Sequence, residues 1–383
     1  MKSAGTVMVI AGESSGDHHA ARLVRAMDQK RDGLFFCGIG GPALEKEGVR
    51  LVFDAALMSV VGVTEVFGAL SHILKGFAAA RRLLKSLRPD LLILVDFPDF
   101  NLRVAATAKK LGVPVLYYIS PQVWAWRRGR IKKIARRVDH MAVIFPFEAV
   151  LYEERGVPVT FVGHPFLDEP GAPAPRPLPD RPENGRRILG LLPGSRGKEI
   201  ERHLPVMMGA ARLLEEKFRK DGRPAPEFVI SLAPGVKRDF MDAVVARGPA
   251  SGRFHIDESG AGSVLEKSDF VIAVSGTVTL ETALSRTPHV IIYKISPVSH
   301  WVAKALVRVE HIGIANHIAA SPVVPELIQT DATPEKIAAV AHGALTDPDR
   351  LRKAAEALGG IRDAMGGPGA SERAAKIALE MMK

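Results

Sequence analysis

The sequence predicts an α/β protein with two domains, each built around a parallel β-sheet. Its 383 residues, 47% of them hydrophobic, are too many for one hydrophobic core and enough for two. Short apolar runs alternate with segments of helical periodicity in both halves of the chain, which is typical of parallel βαβ units. Between the halves, six prolines from Pro170 to Pro182 predict a stiff, extended connector.

The apolar runs set the expected order of elements. Strands are predicted at residues 7–11, 34–37, 91–95, 115–119 and 141–144 and, after the connector, at 188–192, 228–232, 270–274 and 290–293. Apolar residues at helical spacing occupy 20–27, 73–87 and 104–111.

This order predicts the domain boundaries. We expect a first domain over residues 1–169, a proline-rich linker over 170–185 and a second domain over 186–345. The C-terminal helices, 346–383, are expected to pack on the first domain or on a partner subunit, which allows a homodimer.

Cysteine content and hydropathy bear on location. The single cysteine, Cys37, cannot form an internal disulfide, so we expect it in the core of a protein from a reducing compartment. The apolar run at 7–11 meets Glu13 and Asp17 at once, which is too short and too acidic for a signal peptide. The longest apolar stretch, 57–70, falls short of the roughly 20 residues that a membrane-spanning helix needs.

The charge of the chain predicts an anionic partner. The formal net charge is +10 and the isoelectric point is near 9.7. Nucleic acid, an anionic membrane surface and a phosphorylated substrate would each fit this charge, and composition alone does not choose among them.

The first strand leads into a glycine-rich turn. Open parallel sheets bind ligands at the carboxyl ends of their strands, so the segment AGESSGD at 11–17 is a candidate ligand site. Turn formation and helix capping explain its small residues equally well. It has neither the P-loop pattern nor the dinucleotide fingerprint, which disfavours ATP and NAD.

The third of these predicted strands ends in two carboxylates, Asp96 and Asp99, within the segment DFPDFN. Asp99 could cap the helix that begins near Asn101. The pair could instead bind a divalent metal ion, because hard cations prefer oxygen ligands. In a third interpretation, one carboxylate is the general base that takes a proton from an attacking hydroxyl.

A basic amphipathic segment follows the fourth predicted strand. Trp124 and Trp126 precede a helix rich in lysine and arginine, beginning with Arg127, Arg128 and Arg130. A solvated surface helix and a membrane-surface helix both fit, since tryptophan and basic side chains favour the headgroup region. Nucleic acid is disfavoured as a partner, because no zinc-finger, RNA-binding or helix-turn-helix signature accompanies the charge.

Two turns in the second half suit a diphosphate and a ribose. The turn Gly194-Ser195-Arg196 precedes a helix, whose free N–H groups attract anions, and the arginine adds a fixed positive charge. The segment SGTVTLE at 275–281 is a second strand-to-helix turn. Its Glu281 could accept hydrogen bonds from two ribose hydroxyls or could cap the helix.

The remaining candidates are weak. His18 and His19 are adjacent rather than at metal-ligand spacing, and His164 is expected to be a structural residue at the edge of the first domain.

Taken in order, these motifs resemble the lipid-A-disaccharide synthase family. The matching segments are AGESSGD (11–17), GIGGPALEKEG (38–48), LMSVVGVTEV (57–66), DFPDFN (96–101), YYISPQVWAWRRGRIKKI (117–134), FPFE (145–148), FVGHP (161–165), LPGSR (192–196), SGTVTLE (275–281) and VVPELIQ (323–329). The sequence departs from the family at Ala315, where proline is usual, and at Ala320 and Ser321, where glycine and a basic residue are common.

The resemblance implies a fold and a reaction. It implies a GT-B-like pair of Rossmann-type domains facing a cleft, and transfer of an acylated glucosamine from a UDP-sugar to an acylated sugar phosphate. It further implies inversion at the anomeric carbon, no metal or other cofactor, and peripheral association with the cytoplasmic side of the inner membrane.

The resemblance also implies roles for individual residues. Asp99 would be the general base, and Glu13, Ser15 and Asp96 would lie on the acceptor side. The nucleotide-sugar would contact Gly194, Ser195, Arg196, Ser275, Gly276, Thr277, Glu281 and Asn316. Independently of the resemblance, the tryptophans and basic residues predict that a membrane surface would contact Trp124, Trp126, Arg127, Arg128 and Arg130.

Two alternatives to this function remain open at this point. One is a related UDP-sugar enzyme, such as an epimerase or a peptidoglycan glycosyltransferase. The other is a basic membrane-surface or RNA-binding protein with degenerate nucleotide-binding domains.

Overall fold

The computed structural model describes residues 5–58, 66–125, 129–169, 185–248, 254–295 and 311–382. The chain divides into two compact units. The first unit comprises residues 1–169 and 365–383, and the second comprises 170–364. The predicted proline connector lies outside the described residues, apart from Gly185.

The first unit is built on a parallel sheet in the order β3-β2-β1-β4-β5-β6-β7. Its strands are β1 (Gly5–Ala11), β2 (Leu34–Gly40), β3 (Arg50–Asp54), β4 (Leu91–Val95), β5 (Val115–Tyr118), β6 (His140–Val143) and β7 (Val159–Phe161). The central strand β4 is apolar and buried throughout, as expected of a sheet covered on both faces. Ala11 of β1 pairs with Val95 of β4, so the two carboxyl ends lie side by side.

Helices connect these strands. They are α1 (Ser14–Lys30), α2 (Pro42–Lys46), α3 (Val66–Leu87), α4 (Pro98–Lys110), α5 (Arg130–Arg137) and α6 (Pro146–Glu153). Three of them begin at Pro42, Pro98 and Pro146, because proline lacks the N–H that the first turn leaves unpaired. The predicted core residue Cys37 is buried, which confirms that expectation.

The second unit has a parallel sheet in the order β10-β9-β8-β11-β12-β13. Its strands are β8 (Ile188–Leu192), β9 (Glu227–Ser231), β10 (Phe254–Asp257), β11 (Phe270–Val274), β12 (His289–Tyr293) and β13 (Glu326–Ile328). Its helices are α7 (Gly197–Lys220), α8 (Arg238–Ala246), α9 (Ala261–Lys267), α10 (Thr277–Leu284), α11 (Ile314–Ala319), α12 (Pro334–Leu345) and α13 (Pro348–Ala364).

The C-terminal segment predicted to pack on the first domain, 346–383, begins too early by one helix. Helix α13 belongs to the second unit, where Leu358 and Ile361 pack in an apolar cluster with Ala283. Arg362 Nη1 also donates a hydrogen bond of 2.9 Å to the carbonyl of Leu284. The chain returns to the first unit only at Met365. Helical periodicity does not reveal this difference, because α13 and the helix after it both carry one apolar face.

The last helix, α14 (Ala370–Met381), is held in the first unit by one carboxylate. Asp168 accepts hydrogen bonds of 2.6–3.1 Å from the N–H groups of Gly369, Ala370 and Ser371. These donors are among those that the first turn of a helix leaves unpaired. Arg373 Nε adds a bond of 2.8 Å to the carbonyl of Val162.

The strands that the sequence analysis missed are the outer strands of the two sheets. They are β3 and β7 in the first unit and β10 and β13 in the second. The residues of β3 alternate between exposed and half-buried, and β7 and β13 are only three residues long. An outer strand therefore lacks the continuous apolar run that identifies the central strands.

Among the described helices, including the 22-residue α3, none combines the length and the apolar character needed to cross a membrane.

Candidate active site

A pocket of about 340 Å³ opens at the carboxyl ends of the central strands of the second unit. The strands β8 and β11 are neighbours, and the chain leaves them toward opposite edges of the sheet, which is where such sheets bind ligands. The pocket brings together most of the residues predicted for nucleotide-sugar binding, namely Gly194, Ser195, Arg196, Ser275, Gly276, Thr277 and Glu281.

One wall of the pocket is the turn between β8 and α7. Gly194 has φ of +109°, a conformation that favours glycine. Helix α7 begins at Gly197, and the side chain of its N-cap residue, Arg196, does not cap the N–H groups of the first turn. The unpaired N–H groups and positive dipole end of α7 therefore suit an anion at this turn.

Glu199, which was not among the predicted site residues, also lines this pocket. Arg196 Nη1 lies 3.0 Å from Glu199 Oε1, and the arginine side chain is 81% exposed while that of the glutamate is 28% exposed. The spacing of three residues at a helix start was the available signal, since such pairs face each other on one side of the helix.

The second wall is the turn between β11 and α10. Ser275 N–H donates to the carbonyl of Ile292, which fixes the start of the turn, and Thr279 Oγ1 donates to the carbonyl of Gly276 at 2.7 Å. Glu281 is the fifth residue of α10 and half-buried at the pocket wall. A reciprocal capping interaction needs a carboxylate at the third helical position, which here is Thr279. The capping interpretation of Glu281 therefore does not hold.

Asn316 lies elsewhere than predicted. Its side chain is fully buried in the second unit and does not line the pocket. Its amide donates to the carbonyl of Val324 and to Glu326, and its amide oxygen accepts from the N–H of Val324. Because these bonds use its amide group within the protein, Asn316 shapes the loop before β13, and the expectation of direct nucleotide contact is corrected.

In the first unit, the switch point lies between β1 and β4. Asp96 and Phe97, directly after β4, both have positive φ, at 45° and 46°, which costs energy for residues other than glycine. The carbonyl of Asp96 accepts hydrogen bonds from Asn101 Nδ2 at 2.7 Å and from Tyr117 Oη at 2.5 Å. A side chain at Gly12 would collide with the Phe97 ring. The turn after β1 therefore needs glycine at this position so that the turn after β4 can pack against it.

Asp96 is the titratable group of this turn. Burial, and secondly the charge of Glu13, raise the pKa of Asp96 to about 6, against the opposing effect of the Phe97 N–H. The carboxyl group is thus protonated below this pH and ionised above it. Glu13 and Ser15 are both exposed at the start of α1, in the turn after β1, the strand that pairs with β4.

Asp99 pairs with an arginine. Its side chain is 68% exposed at the first turn of α4, and Oδ1 lies 2.7 Å from Arg130 Nη2. The Arg130 side chain is only 8% exposed. The prediction that Arg130 contacts a membrane is therefore wrong, because a guanidinium group buried in this way cannot reach a lipid headgroup.

Asp17, in the first glycine-rich segment, has a structural role. Its carboxylate accepts hydrogen bonds from the N–H groups of Gly41, Ala43 and Leu44 at the start of α2. This contact joins the AGESSGD segment to the GIGGP segment and explains why the two glycine-rich motifs occur together.

The tryptophan segment is more buried than predicted. Trp124 is half-buried, and its ring stands edge-on to Phe147 at 5.3 Å between centroids. Trp126, Arg127 and Arg128 lie outside the described residues.

Helix α5 exposes three basic residues of the predicted amphipathic segment. Lys132, Lys133 and Arg136 point to solvent, while Ile131 and Ile134 face the core. The predicted amphipathic basic helix is therefore present over the described residues 130–137.

A buried carboxyl group lies beneath Trp124. Glu148 is 1% exposed, accepts a hydrogen bond of 3.2 Å from the N–H of Phe145, and lies near the polar side chains of Ser120 and Trp124. Burial raises the pKa of Glu148 to about 8, although these polar neighbours act in the opposite direction. The group is therefore largely neutral at pH 7.

Two histidines of the first unit, His164 and His19, have pKa values lowered by burial. His164 Nδ1 accepts a hydrogen bond from the N–H of Phe166, and burial lowers the pKa of His164 to about 3. Burial likewise lowers the pKa of His19 to about 4. Within the described ranges, no three histidine, cysteine, aspartate or glutamate side chains are grouped as metal ligands would be.

Sequence comparisons place the chain among known proteins. The model of the lipid-A-disaccharide synthetase family matches residues 7–381. The chain is 46% identical to the lipid-A-disaccharide synthase of Geobacter metallireducens, over 98% of this chain and 97% of that protein. It is 45% identical to the lipid-A-disaccharide synthase of Syntrophus aciditrophicus, over 98% of each.

Solved structures share the fold at low sequence identity. MurG from Acinetobacter baumannii is similar with a TM-score of 0.61 and 18% identity, over 98% of this chain and 99% of that one. A UDP-GlcNAc 2-epimerase from Neisseria meningitidis, bound to UDP-GlcNAc, has a TM-score of 0.60 and 13% identity, over 98% and 100%. These likenesses confirm the predicted GT-B-like α/β fold.

Because Glu148 is buried, we expect the free energy of unfolding to depend on pH. An unfolded chain ionises this carboxyl near pH 4.5, whereas the folded chain keeps its proton up to about pH 8. The folded state therefore loses stability, by up to about 1.4 kcal/mol per pH unit, as the pH rises through that window. Glu148→Gln should remove this dependence, so that its free energy of unfolding increasingly exceeds that of the parent protein from pH 5 to pH 8.

Urea unfolding at several pH values measures this effect. Glu153→Gln, on the same helix at an exposed site, is the matched control. Parallel pH dependences for Glu148→Gln and the parent protein would show that Glu148 is ionised in the fold.

Proposed function

The chain belongs to the lipid-A-disaccharide synthetase family, and on this premise we propose the substrates and the site of its transfer reaction. The donor is UDP-2,3-diacylglucosamine and the acceptor is 2,3-diacylglucosamine 1-phosphate. The products are the β-1,6-linked disaccharide 1-phosphate and UDP. The observation that carries the proposal is the pocket between the turns after β8 and β11, whose lining suits a nucleotide diphosphate.

Each part of the nucleotide has a counterpart in the pocket lining. The diphosphate accepts hydrogen bonds from the first turn of α7 and from the Arg196 guanidinium, which together stabilise the charge that develops on departing UDP. The backbone and hydroxyl groups of Ser275 and Thr277 add donors from the second turn. Glu281 accepts hydrogen bonds from the two ribose hydroxyls.

The reaction also needs a base for the acceptor. The acceptor hydroxyl attacks the anomeric carbon on the face opposite UDP, so a new C–O bond forms while the bond to the diphosphate breaks. UDP leaves with the bonding electron pair, and the hydroxyl proton passes to a carboxylate. We assign this carboxylate to Asp99, which is exposed at the start of α4 and oriented by Arg130.

Asp96 is the alternative base, since its raised pKa places its ionisation within the range useful for proton transfer. Glu13 and Ser15 complete the acceptor side of the proposal, because the turn after β1 lies next to the turn after β4 that contains Asp96.

We further propose that the protein acts at the cytoplasmic surface of the inner membrane. Both proposed substrates carry acyl chains, and α5 exposes Lys132, Lys133 and Arg136 toward anionic headgroups.

The homodimer expected from the sequence is tested by light scattering of the lipid-free protein.

A direct assay tests the proposed reaction. The chain is incubated with UDP-2,3-diacylglucosamine and 2,3-diacylglucosamine 1-phosphate, and mass spectrometry is expected to detect the disaccharide 1-phosphate and UDP in equal amounts. Arg196→Ala should weaken UDP binding by about tenfold or more, because a charged hydrogen bond is lost. Turnover of UDP-GlcNAc without an acceptor would instead indicate an epimerase.

Isosteric substitutions distinguish the two candidate bases. We expect Asp99→Asn to lower kcat by about 10²–10⁴-fold while leaving UDP affinity unchanged, and Asp96→Asn to keep most of the turnover. Two results together would reverse the assignment. Asp96→Asn would be the inactive variant, and the parent protein would lose activity at pH values below about 6, where Asp96 becomes protonated.

Vesicle binding tests the membrane surface. Replacing Lys132, Lys133 and Arg136 with serine should weaken binding to phosphatidylglycerol-containing vesicles by about 100-fold, since each basic residue near an anionic surface contributes about 1 kcal/mol. The matched control replaces Lys217, Arg219 and Lys220, which are exposed on α7. Equal losses in the two triple variants would contradict a specific role for α5.

A further inference from the structure

The turn proposed to hold the diphosphate already contains a negative charge. A side chain added at Gly194 would meet Glu199 Oε2 at 2.9 Å, so the carboxylate lies directly against the turn. Glu199 is also the partner of Arg196, with Nη1 and Oε1 3.0 Å apart. The residue most suited to bind a diphosphate is thus paired with an internal anion at the same wall of the pocket.

We propose that Glu199 competes with the nucleotide diphosphate for Arg196 and thereby limits how tightly UDP is held. This inference rests on the proposed function of the same pocket. In the ligand-free chain, Glu199 neutralises Arg196. When the nucleotide binds, Arg196 leaves the Glu199 carboxylate and pairs with the diphosphate. When UDP leaves, the ion pair between Arg196 and Glu199 forms again.

The burial of the two side chains favours such an exchange. Arg196 is 81% exposed, so its guanidinium is held by few other contacts and can turn toward a ligand. Glu199 is 28% exposed and sits in the first turn of α7, where the helix dipole stabilises a carboxylate. The glutamate is therefore the more fixed member of the pair, and the arginine is the member that moves.

The strength of the pair suits a reversible exchange. An ion pair with an exposed partner is weak, and a diphosphate with two negative charges and a fork of acceptor oxygens offers the guanidinium a stronger contact. Arg196 therefore binds the diphosphate in preference to Glu199. The loss of the Arg196–Glu199 ion pair and the nearby carboxylate charge both reduce the affinity of the protein for UDP. Both effects have the same sign, so removing the Glu199 charge should tighten UDP binding.

Calorimetry with UDP alone measures this effect. Glu199→Gln is expected to lower the Kd of UDP by about twofold to tenfold, in proportion to the modest strength of exposed ion pairs. The inhibition constant of UDP in the transfer assay should fall by the same factor. Glu199→Asp, which keeps the charge, should stay close to the parent protein and also reports whether a change at this position is tolerated by the fold.

A matched control separates this role from a general charge effect. Glu201→Gln removes the same charge from an exposed position on the same helix and should leave the Kd of UDP unchanged. An equal gain in Glu201→Gln would overturn the proposal, because the effect would then come from the overall charge of α7.

A double-variant series tests whether Glu199 acts through Arg196. In an Arg196→Ala background no guanidinium is exchanged, so Glu199→Gln should improve UDP affinity by a smaller factor than in the parent protein. The same factor in both backgrounds would overturn the exchange, and so would weaker or unchanged UDP binding by Glu199→Gln alone. If the parent protein itself bound no UDP, the proposed function would fail first and this inference would fail with it.

Discussion

The direction of parallel strands is the constraint on which both candidate sites depend. In each unit, two central strands lie side by side and end at the same edge, while the chain leaves them toward opposite sides of the sheet. The helices that follow cannot both cover this edge, so a crevice remains at their N-termini. The turns after β8 and β11 line such a crevice with anion-binding groups, and the turns after β1 and β4 place the carboxylates of Glu13 and Asp96 close together.

The helix starts of this protein serve two different purposes. Asp17 satisfies the first N–H groups of α2, and Asp168 does the same for α14, so neither helix offers these donors to a ligand. At α10, by contrast, the N-cap residue is Gly276, and among the described residues no side-chain hydrogen bond caps it. Glycine-rich turns of similar sequence thus differ in whether a carboxylate already occupies the N–H groups of the helix that follows.

Buried polar groups correct the interpretation of the basic tryptophan segment. Trp124 packs on Phe147 and reaches Glu148, and Arg130 turns inward to Asp99. Arg130 thus connects the segment to Asp99, while the exposed basic residues lie on the outer face of α5. A buried arginine and a neutral buried glutamate are stable only because each has specific partners, which restricts what can replace either residue.

The sequence by itself determined the parts of the protein that depend on local order. Apolar runs such as Leu91–Val95 identify central strands, because a strand buried on both faces must be apolar throughout, and the order of motifs identifies the family. The outer strands escaped detection because they have only one protected side. Tertiary structure alone decided which polar residues meet: it buried Asn316 against Val324, withdrew Arg130 to Asp99, assigned α13 to the second unit and set Glu199 beside Gly194. Such contacts join residues whose pairing is set by packing, and a linear pattern of residue types does not encode which of several charged side chains turns inward.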